Sequence, residues 1–148
     1  MIKIYVSLNM EQKDYILREI EKIRLIIAAI RQKLWGDKEN LAIALEKHVE
    51  EAKGMLLSGA DFELDMFLNL NEDESNAYID RFEGFSVENI ELLAEDISRI
   101  GFEKELGNSK KYLEKALQLY ELCKAKGKTY SFERETKTDT IKRVLQQN

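Results

Sequence analysis

Apolar residues recur along most of this chain at helical rather than strand spacing. Ile16, Ile20, Ile23, Ile27, Ile30 and Leu34 fall 4, 3, 4, 3 and 4 residues apart. That is the period of one helical face with a heptad-like seam. It predicts a first helix over residues 10–34. Leu25, Ile26, Ala28 and Ala29 widen the stripe, so the middle of the helix is expected to be covered on more than one side. Such a stripe suits a core helix or a dimerising coiled coil. Three heptads are short for a coiled coil, so core packing is the preferred reading. Ahead of this helix, residues 1–8 (MIKIYVSL) are rich in β-branched and aromatic side chains and read as a short extended arm. Asn9 then reads as an N-cap, with Gln12 as its capping-box partner. Residues 1–9 are therefore expected to be an arm or extension, with translation beginning naturally at Met10 as one explanation. Residues 10–148 are expected to form a single helical domain.

Further along, Trp35-Gly36-Asp37 should close the first helix, with Gly36 in a left-handed C-cap. A second helix is expected over 40–57, on the stripe Leu41, Leu45, His48, Ala52 and Met55, ended by Gly59. A short amphipathic segment follows around Phe62, Met66, Phe67 and Leu70. Asn71 opens the acidic NEDES stretch and is placed to cap another short helix running through Tyr78, Ile79 and Phe82 to Gly84. Residues 86–126 read as two helices around a Gly107-Asn108-Ser109 turn, the first capped by Ser86 and marked by Ile90, Leu93, Ile97 and Ile100. A last helix over 131–145 has thin apolar content: Phe132, Ile141, Val144 and Leu145. Gly36-Asp37 and Gly107-Asn108, 71 residues apart, each precede a similar stripe. The second stripe is Tyr112, Ala116, Leu119 and Cys123. This echo leaves open whether the hairpin is repeated.

Composition agrees with helices. The chain has 148 residues, 44% hydrophobic and 34% charged, and no proline, which fits one globular, all-helical domain. The net charge of −5 argues against general nucleic-acid binding, where a basic surface supplies most of the affinity. Charge is unevenly spread. Residues 61–84 hold eight acidic and one basic side chain, and residues 124–148 hold seven basic and three acidic. These blocks read as two solvated faces, or as patches that meet within the fold or across a dimer. Cys123 is the only cysteine, which fits a reducing, cytoplasmic setting. The longest apolar run, residues 25–30, is far short of the ~20 residues of a membrane span, and no secretory signal is visible.

Two segments resemble a family of uncharacterised bacterial helical proteins. Asp14-Tyr15-Ile16, Arg18 and Ile20-Glu21 match its opening helix. Glu105-Leu106-Gly107-Asn108, Lys115-Ala116-Leu117 and Leu119-Tyr120 match its tetratricopeptide-like hairpin. The resemblance implies a fold: all-α, with tetratricopeptide-like helical hairpins packed as one compact bundle with a long N-terminal helix. It carries over no activity and no site. The hairpin lacks the proline that usually ends such a repeat, and no Asn, Lys and Arg spacing of a peptide-carboxylate clamp is present.

Candidate chemistry is sparse. His48 and Glu51 share a helical face and would make two metal ligands, but a site needs three or four; a half-buried, hydrogen-bonded core histidine is preferred. Cys123 lies on an apolar stripe and reads as core rather than nucleophile. The NEDES segment lacks the glycine and the closing glutamate of an EF-hand, with Asn76 and Phe82 at those positions. No phosphate loop or nucleophile elbow is present. No catalytic, cofactor-binding or metal residue is assigned, and no cofactor, nucleic acid or membrane is expected. The leading expectation is a non-catalytic protein–protein interaction or scaffold domain, with another copy of the chain among its candidate partners. The alternatives are a small helical enzyme or ligand-binding bundle using acidic residues, and a structural or regulatory accessory without ligand.

Overall fold

The computed structural model describes residues 2–36, 42–103 and 106–147. Its elements are α1 (Ile2–Trp35), α2 (Ala42–Ala60), α3 (Leu64–Leu68), α4 (Glu72–Asp80), α5 (Val87–Gly101), α6 (Ser109–Gly127) and α7 (Phe132–Gln147). Every regular element among the described residues is a helix, and the helices pack compactly around one apolar core.

The expected N-terminal arm is helical instead: α1 begins at Ile2, and Asn9 lies inside it rather than capping it. Among the described residues there is no strand for the β-prone residues at its start to pair with. Extending an existing helix adds a local hydrogen bond for each residue fixed, so propagation wins. Among the α1 side chains from residue 10 onward, only those of the second half enter the core. Ile23, Ile27, Ile30 and Leu34 are buried, whereas the widening residues Leu25, Ala28 and Ala29 face solvent. The middle of α1 therefore packs on both α2 and α5, with Ile26 half-buried against Gly59 and Arg31 bonded to Asp96, while its Leu25, Ala28 and Ala29 side stays open. α2 returns antiparallel to α1, with Lys33 paired to Glu51 at 2.6 Å and Gly59 packed against Ile26. It buries Leu45, Val49, Ala52 and Leu56.

Two expected glycine stops fall elsewhere. Gly36 is not left-handed; its N–H continues the helical ladder to the Gln32 carbonyl at 2.8 Å. Gly59 lies inside α2, which is ended by Asp61 at φ 56°. The Asp61 N–H donates to the Leu57 carbonyl, an αL-type cap. Asp37, Asn40 and Leu41, which carried part of the expected turn and stripe, lie outside the described residues.

α3 and α4 are short and held by aromatic packing. Phe62, Phe67, Tyr78, Phe82 and Phe85 form one cluster in which Phe62 stacks on Tyr78 at 5.1 Å and meets Phe67 edge-on at 5.1 Å. The Tyr78 hydroxyl accepts from the Glu63 N–H. Asn71 caps α4 as expected: its side chain accepts from the Glu74 N–H, and the Glu74 carboxylate accepts from the Asn71 N–H. Three acidic residues in the first turn add to the favourable interaction with the helix dipole.

The turn between α4 and α5 presses on α1. A Cβ on Gly84 would lie 2.5 Å from the Glu19 carbonyl oxygen, so only glycine fits there. Asn89, buried at the start of α5, donates to the carbonyls of Ile20 and Gly84. From there α1 runs alongside α5 in the same direction, ending with Trp35 beside Arg99. Ser86 caps α5 through the Asn89 N–H. α5 stops at Gly101, five residues before the sequence suggested. It forms an antiparallel hairpin with α6, with Gly101 against Leu113 at one end and the Cys123 thiol donating to the Val87 carbonyl at the other. The turn uses Gly107 at φ 70° and Asn108 at φ 37°, both left-handed. Glu105 lies outside the described residues. α7 packs chiefly on α6. It buries Arg134, Thr138 and Ile141, and Phe132, expected among its apolar anchors, is exposed.

Candidate functional site

α7 crosses the open side of the α5–α6 hairpin and is tied to α5 by long side chains. Arg134 pairs with Glu91 at 3.1 Å and Lys137 with Glu95 at 2.5 Å. Between these helices lies a half-open cleft of about 260 Å³. Phe102, Ile141 and the Tyr120 ring give it a mostly apolar lining, and Glu95, Arg99 and Lys137 add charge. Most polar groups around it are already engaged. Ser98, Thr136 and Thr140 donate to carbonyls of their own helices, and Lys137 is shared by Glu95 and Glu133.

Two groups are not engaged in this way. The Tyr120 hydroxyl is buried without a hydrogen-bond partner. Burial pushes its ionisation far up, and the neighbouring Ser98 hydroxyl offsets only part of that, so the group stays a neutral phenol. Arg99 stacks its guanidinium on the Trp35 ring at 3.9 Å, and no described carboxylate forms an ion pair with it.

One helical face away, Arg31 of α1 spans the same helix. Its Nε donates to Asp96 at 2.8 Å and its Nη2 donates to Glu95 at 3.2 Å and to the Leu92 carbonyl. Asp96 is buried, and its second oxygen has no partner. Burial raises its carboxyl to about 6, with Arg31 pulling the other way. The unpartnered oxygen explains why Arg31 does not restore an ordinary carboxylate.

Lys115 is a second buried charge, 2% exposed. Its ammonium donates to the Leu70 carbonyl, the Ser75 hydroxyl and Gln118 Oε1, and sits 4.7 Å from the Phe67 ring centroid. No carboxylate pairs with it among the described residues, and burial lowers it to about 8, with Glu74 opposing. Its donations to Leu70 and Ser75 join α6 to the α3–α4 connection.

The residues singled out in the sequence do not gather into a site. His48 is half-buried as expected, and its Nδ1 is buried without a hydrogen-bond partner among the described residues. Glu51 is held by Lys33 rather than by His48, and that hydrogen bond lowers its carboxyl. Cys123 is fully buried, and burial pushes its thiol up to about 12, which removes it as a nucleophile. Within NEDES, Asn71 and Glu74 form the capping box of α4, and Glu72 and Asp73 lie in its first turn. The two charge blocks touch through Lys126 and Asp80 at 2.7 Å. Among the described residues, no three His, Cys, Asp or Glu side chains group as metal ligands, and no helix is long and apolar enough to cross a membrane.

One surface remains. α2 ends against Ile26, and the α4–α5 turn reaches α1 at Glu19, so α1 outruns both. Every side chain from 10 to 18 is exposed, including Met10, Tyr15, Ile16 and Leu17. Residues 2–18 as helix span roughly 25 Å. The chain was compared with protein-family models, curated proteins and solved structures, and it matches none of them.

Proposed function

We propose that this chain is a non-catalytic helical interaction domain whose partner is a second copy of itself, joined through the first half of α1. The observation that carries the reading is the exposure of Met10, Ile16 and Leu17 where α1 outruns the bundle. A heptad-spaced stripe is complementary to itself, so two copies related by a two-fold axis cover it with no further partner. Charge favours the same pairing. Two chains of net −5 repel overall, but residues 10–18 hold Glu11 and Asp14 against Lys13 and Arg18 and are neutral. The α5–α6 hairpin is the tetratricopeptide-like part of this reading. Its stripe residues Ile90, Leu93, Ile97, Ala116, Leu119 and Cys123 are buried, so it builds the core and leaves docking to α1. A reducing, cytoplasmic setting fits the single unpaired thiol.

A chain carrying Ile16→Glu and Leu17→Glu tests the reading. It is expected to run as a monomer where the unmodified chain runs as a dimer, with its helical content retained. Identical hydrodynamic size for the two chains at about 100 µM would overturn the proposal; at that concentration a dimer of Kd in the micromolar range is mostly formed.

A further inference from the structure

We infer that the cleft between α5 and α7 binds a small carboxylate with an apolar body and a second oxygen at its far end. The inference rests on the cleft alone and is independent of pairing through α1.

Three observations meet there. The cleft is mostly apolar and holds about 260 Å³. A cavity of roughly 150 Å³ accepts benzene, so this one suits a single ring or short chain of about ten non-hydrogen atoms. Tyr120, 1% exposed, lines it, and its hydroxyl is buried with no hydrogen-bond partner of good geometry among the described residues. A buried hydroxyl left unpaired is costly, and a ligand oxygen reaching it would satisfy it. Arg99 borders the same space on the surface side, fixed against Trp35 and unpaired with any described carboxylate. A guanidinium held flat on an indole presents its N–H edge ready-made to a carboxylate. Lys137 does not compete for this role, because Glu95 and Glu133 hold it. The neighbouring hydroxyls of Ser98, Thr136 and Thr140 give their protons to backbone carbonyls. Recognition therefore falls to two groups of an apolar slot, exposed Arg99 for the carboxylate and buried Tyr120 for the second oxygen.

The probes are 4-hydroxyphenylacetate, phenylacetate and phenylacetamide, titrated into the isotope-labelled full chain and followed by amide chemical shifts. Binding of 4-hydroxyphenylacetate is expected to saturate with a Kd on the order of 0.1–1 mM, as befits so small a ligand. Shifts should centre on residues 98–102, 120 and 136–141. Phenylacetate should bind about tenfold more weakly, the worth of one good hydrogen bond, and phenylacetamide more weakly still. Tyr120→Phe should remove the advantage of the hydroxylated probe while leaving phenylacetate unchanged. Arg99→Gln should abolish the preference for the acid over the amide. Absence of saturable shifts up to 10 mM would mean that the cleft holds only water, and would overturn the inference. Shifts centred elsewhere, or probe preferences that survive both substitutions, would overturn it equally.

Discussion

In the second half of α1, Ile23, Ile27, Ile30 and Leu34 are packed out of water against α2 and α5. In its first half, Met10, Ile16 and Leu17 stand in solvent on the same helix. Ile27 is 1% exposed and Leu17 is 61% exposed. Periodicity alone does not separate these halves, since Ile16 and Ile27 belong to one run of 4 and 3 spacings. What separates them is the reach of the neighbours. α2 ends against Ile26 and the α4–α5 turn reaches α1 at Glu19, so residues 10–18 lie beyond both. A heptad-like stripe thus specifies a helix and a face, and the partner for that face is set elsewhere.

The largest expected effect tests the buried half. Ile27→Ala removes packing from a site closed on every side, and should lower unfolding free energy by about 3–5 kcal/mol in chemical denaturation. A loss below about 1 kcal/mol would show that this half of α1 is not core.

Next in size is the tie between Arg31 and Asp96, which fastens the buried half to α5. Asp96 is raised to about 6 in the fold and sits near 3.9 when unfolded. The folded chain therefore holds this proton more tightly than the unfolded chain. Its contribution is full below about pH 4 and is lost as pH rises through 6. Measured against Asp96→Asn, the unmodified chain should lose stability between those limits, by at most about 3 kcal/mol. A flat difference across that window would contradict the burial of Asp96.

Asn89 marks the boundary between the halves, since its amide holds the Ile20 carbonyl and the glycine turn together. Asn89→Ala should cost about 1–2 kcal/mol, the usual range for buried hydrogen bonds. Faster amide exchange should follow in residues 19–24 before it reaches 27–34.

The smallest effect belongs to the exposed half. Ile16→Ala at a dilution where the chain is monomeric should change stability by less than about 0.5 kcal/mol. A loss as large as that of Ile27→Ala would erase the distinction between the halves.

Much of the architecture was legible because its signals are local. Asn71 and Ser86 were readable as caps, and the apolar spacing of α5 and α6 as a hairpin, since each depends on residues a few positions apart. The first turn of α1 misled because Ile2, Ile4 and Val6 favour strands, and the absence of a strand partner is not written locally. The cleft was harder to read. Tyr120 looks like any stripe aromatic, and its isolation depends on α7 crossing from a distant part of the chain. Arg31 and Asp96 lie 65 positions apart, and Lys115 and Ser75 lie 40 apart. Lys115 stands in a run of surface-like lysines, with nothing in its neighbours to mark it as buried.

Pairing of two copies through the exposed residues 10–18 of α1 is the central proposal. Sedimentation velocity of the full chain from about 1 to 100 µM tests it most directly, since this range brackets micromolar dissociation constants. The account predicts a shift from monomer to dimer as concentration rises, and no such shift for the Ile16→Glu, Leu17→Glu chain. A single monomer boundary at every concentration would contradict it.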